Sequence, residues 1–331
     1  MKKIVSIVLA VSMLAVCVTG CKTTTRKQLK PVVLNEVAHS IFYAPQYAAI
    51  ELGYFEDEGL DLTLVNGAGA DKVMTALISG DADIGFMGSE ASIYVYQQGS
   101  DDYAVNFAQL TQRAGNFLVG REAQDNFTWA DLKGKKVLGG RAGGMPEMVF
   151  EYILKKNGID PAADLTIDQS INFGLTAAAF TSNDADYTVE FEPFATGLEK
   201  EGNGHVIASL GVDSGYVPYT AYSVKKSYLE KNPETIQKFT NAIQKGLEYV
   251  NTHSAEEIAK VIQPQFKETD EDTIATIVGR YKDQDTWKGD TVFEKDSFEL
   301  LENILEEAGE LNERVPYEKL VSTQFSEKAA K

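Results

Sequence analysis

The 331-residue chain contains very little cysteine and histidine, which limits the chemistry it can carry. Its only cysteines are Cys17 and Cys21, and Cys17 lies in an N-terminal segment of the kind that is removed on export. The mature chain would then keep only Cys21. This excludes an internal disulfide, and we expect neither a cysteine-based metal site nor a cysteine nucleophile. The three histidines are far apart and form no HExxH motif. We therefore predict neither a metal nor any other cofactor.

Positive charge is also in short supply. The chain has 31 Lys and Arg residues against 49 Asp and Glu residues, for a formal net charge of −18. Nucleic-acid binding needs clustered positive charge, so no nucleic-acid partner is expected. The balance does not reveal the charge of a ligand, because many of the acids lie in predicted solvent-facing helices such as residues 299–313.

The common signatures of catalytic sites are missing as well. The sequence has no nucleophile elbow and no Rossmann fingerprint, and no Gly-Lys-Ser/Thr follows its glycine-rich turn at 140–147. Glu190 and Glu192 are spaced to share one face of a strand, and paired carboxylates can do acid–base work. Our interpretation is that one of them meets a ligand while the other bonds locally before Pro193. We predict no catalytic residue and no enzymatic activity.

The N-terminus has the order of an export signal. Basic Lys2 and Lys3 precede an apolar stretch, residues 4–18, that is too short to span a bilayer stably. Val-Thr-Gly-Cys then resembles a bacterial lipobox, in which the cysteine is lipidated after cleavage. We predict a signal peptide at 1–20, lipidation of Cys21, and a polar tether at 21–31. The protein would then be extracytoplasmic and anchored to the cell membrane. An ordinary signal peptide is the alternative.

Strands and helices alternate regularly from residue 39 to residue 90. Residues 60–64 alternate apolar and polar side chains, which indicates a strand, and a helix is predicted from Asp71 to a glycine cap at Gly80. In open α/β sheets, ligands bind beyond the carboxyl ends of the strands. Three connections are therefore candidate ligand loops: 39–43, 66–72 and 88–90.

Two stretches resemble a known family. The run GYFEDEGLDLTLVNGAGADKVMTALISGDADIGFMGSE and the later VEFEPF look like the signature of ABC-transporter substrate-binding proteins. The similar group binds thiamine pyrimidines, alkanesulfonates, taurine or nitrate. The resemblance implies an α/β, two-lobed periplasmic-binding-protein type II fold with two hinge crossovers. It also implies a small-molecule ligand and, as partners, an ABC permease with its ATPase. We expect a monomer.

The chain is long enough to need two lobes. We predict lobe I from residues 32–111 and 215–331, and lobe II from residues 112–214. The crossovers are expected at Thr111–Gly115 and Gly211–Pro218, where glycines allow bending. A surface loop is the alternative for the first of them.

Candidate ligand contacts follow from these loops and from the resemblance. Aromatic residues offer stacking faces, carboxylates accept hydrogen bonds, and the glycine-rich turn before Pro146 offers free helix amides. Each has a plainer alternative: a core aromatic, a carboxylate that caps its own helix, a tight turn, or a histidine that stabilises a loop. The predicted ligand-binding residues are His39, Phe42, Tyr43, Gly69, Ser89, Glu90, Gln112, Arg141, Gly143, Gly144, Met145, Asn172, Phe173, Glu190 and Tyr219.

These residues favour a compact heteroaromatic ligand, such as a thiamine pyrimidine precursor. A small anion would favour basic side chains without nearby acids, because like charges repel at short range. Arg113 and Arg141 keep a sulfonate- or nitrate-type ligand open as the alternative. An enzyme similar to a pyrimidine-precursor synthase and a sensory receptor are two further alternatives.

Overall fold

The computed structural model describes residues 29–171 and 173–331. The predicted signal peptide, most of the tether and Cys21 lie outside the described residues. Within the described ranges the chain forms two five-stranded sheets, each flanked by helices. No helix in these ranges combines the length and the apolar character that a membrane crossing requires. The α/β class and the type II architecture predicted from the resemblance are confirmed.

The first sheet is the centre of lobe I. Its strands are β1 (Lys30–Glu36), β2 (Leu60–Asn66), β3 (Ile84–Gly88), β4 (Ala104–Thr111) and β10 (Thr220–Lys225), in the order β2-β1-β3-β10-β4. β3 is buried along its whole length, as expected for a strand covered on both faces. The helices between these strands are α1 (Ala44–Glu51), α2 (Tyr54–Asp57), α3 (Ala70–Ser79) and α4 (Glu90–Gln97).

The second sheet is the centre of lobe II. Its strands are β5 (Asn116–Gly120), β6 (Lys136–Leu138), β7 (Thr166–Asp168), β8 (Tyr187–Phe191) and β9 (His205–Ser209), in the order β7-β6-β8-β5-β9. The helices are α5 (Met145–Lys156), α6 (Thr176–Ser182), α7 (Phe194–Lys200) and α8 (Leu210–Ser214). A capping box between Thr128 and Asp131 holds the turn that precedes β6, as its sequence spacing predicts.

The chain after β10 is helical, as its apolar spacing predicts. It contains α9 (Lys226–Lys231), α10 (Pro233–Thr252), α11 (Ala255–Ile262), α12 (Glu271–Asp283), α13 (Lys295–Ala308), α14 (Tyr317–Leu320) and α15 (Gln324–Ala329). α10 buries residues three and four apart, including Ile236, Phe239, Ile243, Leu247 and Val250, which face lobe I. The end of α12 reaches the lobe junction, where the Tyr281 hydroxyl donates to the Gly115 carbonyl at 2.9 Å.

Two local expectations differ from the structure. Gly69, not Asp71, is the N-cap of α3, so Asp71 lies in the first turn, where its charge favours the helix N-terminus. The sequence predicts a strand over 165–171, but only β7 within this range pairs with a neighbouring strand. The predicted return crossover at Gly211–Pro218 begins within helix α8.

Candidate functional site

The two lobes touch along the loops that follow their strands. The Ser40 hydroxyl, before α1, donates to the Glu192 carbonyl after β8 at 3.3 Å. The Tyr94 hydroxyl on α4 lies 3.8 Å from the Met148 sulfur on α5. These contacts bring together the turn after β1, the start of α4 and the ends of the lobe II strands. They define the junction between the two lobes, which is called the cleft below.

An aromatic cluster forms one wall of this cleft. The Phe42 ring centre lies 5.1 Å from that of Tyr43, 5.7 Å from Tyr219, 6.1 Å from Phe191 and 5.2 Å from Tyr281. The cluster joins both lobes, because Phe191 ends β8 and the other rings belong to lobe I or its C-terminal helices. These separations are those of favourable aromatic pairs. Phe42, Tyr43 and Tyr219, all predicted as ligand contacts, are thus neighbours and buried.

Glu90 is the buried acid beside this wall. Only 5% of its surface is exposed, and its Oε2 atom has no hydrogen-bond partner in the described part of the chain. Burial raises the pKa of this carboxyl to about 7. The side chain folds back over Gly88, where any Cβ would overlap the carboxylate. Glu90 therefore keeps one buried oxygen without a partner at the start of α4.

Tyrosine side chains surround Glu90. Burial raises the pKa of Tyr43, Tyr94 and Tyr219, and the nearby Glu90 carboxylate raises each of them further. The Tyr219 hydroxyl is buried and, among the described residues, has no hydrogen-bond partner. Next to Glu90, the Ser89 hydroxyl donates to the Pro218 carbonyl at 2.5 Å and ties the α4 turn to the return crossover. The arrangement offers an acceptor and a hydroxyl against aromatic faces.

Glu190 is buried elsewhere in lobe II, with both of its oxygens engaged. It accepts from the Thr176 hydroxyl at 3.0 Å and from the Thr188 hydroxyl at 2.6 Å. Burial raises the pKa of Glu190 to about 7, while the two threonine bonds act in the opposite direction. Glu192 also bonds locally, accepting from the amide and the hydroxyl of Thr196. The structure thus shows local partners for both members of the acidic pair.

The glycine-rich turn before α5 holds a second acid. Gly143 has a left-handed φ of 76°, and its amide donates to Glu147 at 3.0 Å. Burial, together with a hydrogen bond to Glu151, raises the pKa of Glu147 to about 8. Met145 is buried at the start of α5, and Gly144 is its N-cap. Arg141 is exposed in this turn. The turn before α5 therefore already has a carboxylate partner, Glu147, from the same helix.

Three other predicted contacts have local structural roles, and two lie wholly or partly outside the described residues. The ring nitrogens of His39 bond the Glu36 carboxylate at 2.8 Å and the Gln265 carbonyl at 2.9 Å, so this histidine stabilises its loop. The Gln112 amide donates to the Asp285 carbonyl. Gly69 caps α3. Asn172 lies outside the described residues, and only the backbone of Phe173 is described, in a 3-10 turn.

Arg113 is engaged at the crossover. Its guanidinium lies 4.3 Å from the centre of the Tyr216 ring and donates to the carbonyls of Gly211 and Val212. Both of these bonds use one terminal nitrogen, and the buried Nε of Arg113 has no hydrogen-bond partner in the described part of the chain. Within 29–171 and 173–331, no group of three or more His, Cys, Asp or Glu side chains has the arrangement of a metal site.

Asn116 is a cleft residue that sequence reasoning missed. It begins β5 directly after the first crossover, and neither atom of its buried amide has a hydrogen-bond partner in the described ranges. Its position as the first strand residue after a predicted hinge is the only sequence signal that marks it.

This cleft belongs to a fold shared with known proteins. The family model described as NMT1/THI5 like matches residues 41–257. The chain belongs to the NMT1/THI5-like family. It is 47% identical to a Bacillus subtilis (strain 168) protein named "Putative binding protein YtlA", over 93% of this chain and 92% of that protein. It is 26% identical to the yeast 4-amino-5-hydroxymethyl-2-methylpyrimidine phosphate synthase THI11 from Saccharomyces cerevisiae, over 63% of each chain.

Solved structures with this fold include binding components of import systems. A Staphylococcus aureus ligand-binding component of an ABC-type import system matches with a TM-score of 0.72 and 16% identity, over 91% of this chain and 99% of that one. The alkanesulfonate-binding protein SsuA from Xanthomonas axonopodis pv. citri matches with a TM-score of 0.69 and 14% identity, over 89% and 99%. At these identities the likeness shows the fold alone.

Proposed function

We propose that this NMT1/THI5-like protein is the solute-binding component of an ABC importer. In this role it captures a small molecule between its lobes outside the cytoplasm and delivers it to a permease. The 47% identical relative named as a binding protein supports a binding role, and so does the two-lobed fold. Ligand capture by closure of two lobes requires no chemical step.

We further propose that the ligand is a compact heteroaromatic with hydrogen-bond donors, such as a thiamine pyrimidine precursor. One observation carries this choice: among the described residues, the buried Glu90 carboxyl and the buried Tyr219 hydroxyl each have an atom without a hydrogen-bond partner. Glu90 is near enough to raise the pKa of Tyr219, and the Tyr219 ring lies 5.7 Å from that of Phe42. A ring amine would satisfy the carboxyl while the ring packs against aromatic faces. Nitrate or a sulfonate would meet a carboxylate at close range, which is unfavourable.

The experiment is calorimetry of mature protein that has been unfolded and refolded to remove co-purified ligand. The titrants are 4-amino-5-hydroxymethyl-2-methylpyrimidine, riboflavin, taurine and nitrate. At pH 8, where Glu90 with its pKa of about 7 is ionised, we expect binding of the aminopyrimidine. We expect E90Q to weaken this binding by about tenfold or more, since a hydrogen bond to a charged group contributes about 1.5–3 kcal/mol. E299Q, which changes an exposed acid on α13, is the matched control. Tight binding of taurine or nitrate without response to any ring compound would contradict the ligand proposal.

A synthase-type enzyme is the second candidate. It rests on the yeast phosphate synthases, which are 26% identical and of which this chain spans 63%. The phosphate of that aminopyrimidine would then be a product, whereas an importer would bind the pyrimidine as cargo. Mass balance separates the two roles: a binding protein returns the pyrimidine unchanged after denaturation, with one molecule bound per chain. Formation of a new pyrimidine by the purified protein would favour the enzyme.

A further inference from the structure

Asn116 is a buried amide that the fold leaves without a partner. Its exposed fraction is 0%, and neither Nδ2 nor Oδ1 has a hydrogen-bond partner among the described residues. Asn106, which is equally buried, shows the usual situation: it donates to Ser92 and Leu320 and accepts from Ser223. Native proteins seldom leave both ends of a buried amide unsatisfied, because each lost bond to water is costly. The free amide therefore calls for an explanation.

Its place in the sheet directs Asn116 toward the cleft. Asn116 pairs with Phe191 across antiparallel strands β5 and β8, so the two side chains leave the same face of the sheet. The Phe191 ring lies 6.1 Å from Phe42 and 6.4 Å from Tyr219, between the lobes. The preceding residue, Gly115, also lies against Phe42: a Cβ on Gly115 would come within 2.6 Å of that ring. Asn116 is thus next to the aromatic wall.

The neighbouring residues on the same strands face the other way. Phe117 pairs with Glu190, and side chains alternate along a strand, so this pair lies on the opposite face. There Glu190 already has its threonine partners. The alternation places a satisfied acid on one face of the sheet and an unsatisfied amide on the other. Of these two residue pairs, the one that contains Asn116 has the unsatisfied hydrogen-bonding atoms.

We propose that Asn116 binds the polar edge of the ligand and selects a ligand with one donor and one acceptor on adjacent atoms. This inference rests on the proposed capture of a heteroaromatic molecule. A primary amide presents an N–H donor beside a carbonyl acceptor in one plane. An amino group next to a ring nitrogen matches both at once, as asparagine matches adenine in nucleic acids. A lactam edge matches equally well after the amide rotates by half a turn.

This selection excludes edges that carry acceptors only. A sulfonate or nitrate would pair with Nδ2 of Asn116 and leave Oδ1 facing another oxygen. The amide would then stay half satisfied in a buried site, which is unfavourable. Asn116 and Glu90 therefore favour the same class of ligand from two positions in the cleft. Asn116 further requires that the ligand carry a hydrogen-bond acceptor next to its amine.

The test is a cycle of two proteins against two ligands. Refolded wild type and N116L are titrated with 4-amino-5-hydroxymethyl-2-methylpyrimidine and with the analogue that has a methyl group in place of the 4-amino group. Leucine has a similar shape to asparagine but makes no hydrogen bond. We expect N116L to bind the amino compound about tenfold more weakly or worse, the range of a bidentate amide contact. The loss from the methyl analogue should be much smaller, so the two changes are coupled.

Thermal unfolding of the ligand-free proteins separates binding from structure. Because the leucine side chain replaces an unsatisfied buried amide, N116L should unfold at the same temperature as wild type or higher. A purely structural asparagine would instead show a lower midpoint. The matched control is T291V, which removes the buried Thr291 hydroxyl near Gln244, away from the lobe junction; this hydroxyl also has no partner among the described residues. T291V should leave both affinities unchanged. N116A serves as a second variant if N116L does not fold.

The outcomes distinguish this inference from the function it rests on. If wild type binds the aminopyrimidine and both Asn116 variants bind it as tightly, the role of Asn116 is overturned while the proposed function stands. If wild type binds neither pyrimidine, the heteroaromatic proposal fails, and the selection by Asn116 fails with it. A coupled loss in a protein of unreduced stability supports both.

Discussion

The Arg280 guanidinium on α12 bonds the Glu192 carboxylate at the end of β8 and so connects the two lobes directly. Its second nitrogen bonds Glu199 on α7 at 2.7 Å. Glu192 is buried, and Lys200 extends the contact toward Asp270 at 3.5 Å. These residues form an interlobe clasp on the side of the cleft next to Phe117, whose ring lies 5.5 Å from the guanidinium. The clasp stabilises the contact between the two lobes.

Breaking the clasp should favour an open form. In R280M the buried Glu192 keeps only its bonds to Thr196, and losing one partner of a buried pair costs about 3–5 kcal/mol. The protein can avoid much of that cost by opening and hydrating the carboxylate. We expect a larger radius of gyration by X-ray scattering and an affinity for ligand about tenfold lower or worse, because closed molecules become rarer.

A surface ion pair is the control for R280M. K238M removes the bond between Lys238 and the exposed Glu234 one turn away on α10, a type of pair that contributes about 0–1 kcal/mol. It should change neither scattering nor affinity. If R280M scatters like wild type with and without ligand, the clasp does not control closure.

Gly211 allows the two crossovers to pack closely. A Cβ at Gly211 would overlap the backbone carbonyl of Ala114 on the other crossover. Because backbone atoms cannot rotate away, G211A should lower the free energy of unfolding by about 1–3 kcal/mol, the usual cost of overpacking. G197A is the matched control: Gly197 lies inside α7 with open space around it, and alanine there should be neutral or add about 0.5–1 kcal/mol. Urea unfolding of both variants checks the difference, and equal stabilities would show that the crossovers can separate.

The predictable parts of this fold are those set by local pattern. The strand at Leu60, the glycine cap at Gly80 and the capping box at Thr128 all depend on neighbours a few residues away, and all three are present. The phrase Gly-Ser-Glu opens α4 as expected, and it places Glu90 in the cleft. Local rules were sufficient there because each turn chooses its conformation mostly from its own residues.

The parts that were missed depend on partners far along the chain. His39 lies in a loop of the expected kind, yet its ring bonds Gln265, 226 residues away. Arg113 is taken up by Tyr216, and Gln112 by Asp285, so neither could be assigned from its own loop. Asn116 stands out only because nothing in the described part of the chain pairs with it, which is visible only once the fold is known. Whether the polar atoms of a side chain find hydrogen-bond partners depends on the tertiary structure.

The lipid anchor remains a prediction, since Cys21 lies outside the described residues. The order of basic residues, apolar stretch and Val-Thr-Gly-Cys predicts that the cysteine is modified and becomes the first residue after cleavage. C21S should release the protein from the membrane fraction or leave uncleaved precursor, as seen by fractionation and intact mass. C17S, which changes the cysteine in the predicted signal, should be processed normally. A C21S protein that is fully processed and still membrane-bound would rule out the anchor.

Glu90 should make the stability of the ligand-free protein depend on pH. Its pKa is raised by burial from 4.5 to about 7, so the folded state holds a proton that the unfolded chain releases. The contribution of Glu90 to stability is therefore greatest below pH 4.5. It falls as pH rises from 4.5 to about 7 and is level above that. One pKa unit corresponds to about 1.4 kcal/mol, so the full effect is on the order of 3 kcal/mol.

The variant that tests this pH effect is E90Q, which keeps the shape of the side chain without its ionisation. Glu190 and Glu147 have raised pKa values too and give the same trend, so the quantity to compare is the difference between wild type and E90Q at each pH. We expect the free energy of unfolding of E90Q, measured in urea, to rise relative to that of wild type between pH 4.5 and about 7. At about pH 8, E90Q should be the more stable protein. E299Q should follow the wild-type curve. A constant difference across this range would mean that Glu90 ionises normally and that its carboxylate is solvated in the ligand-free cleft.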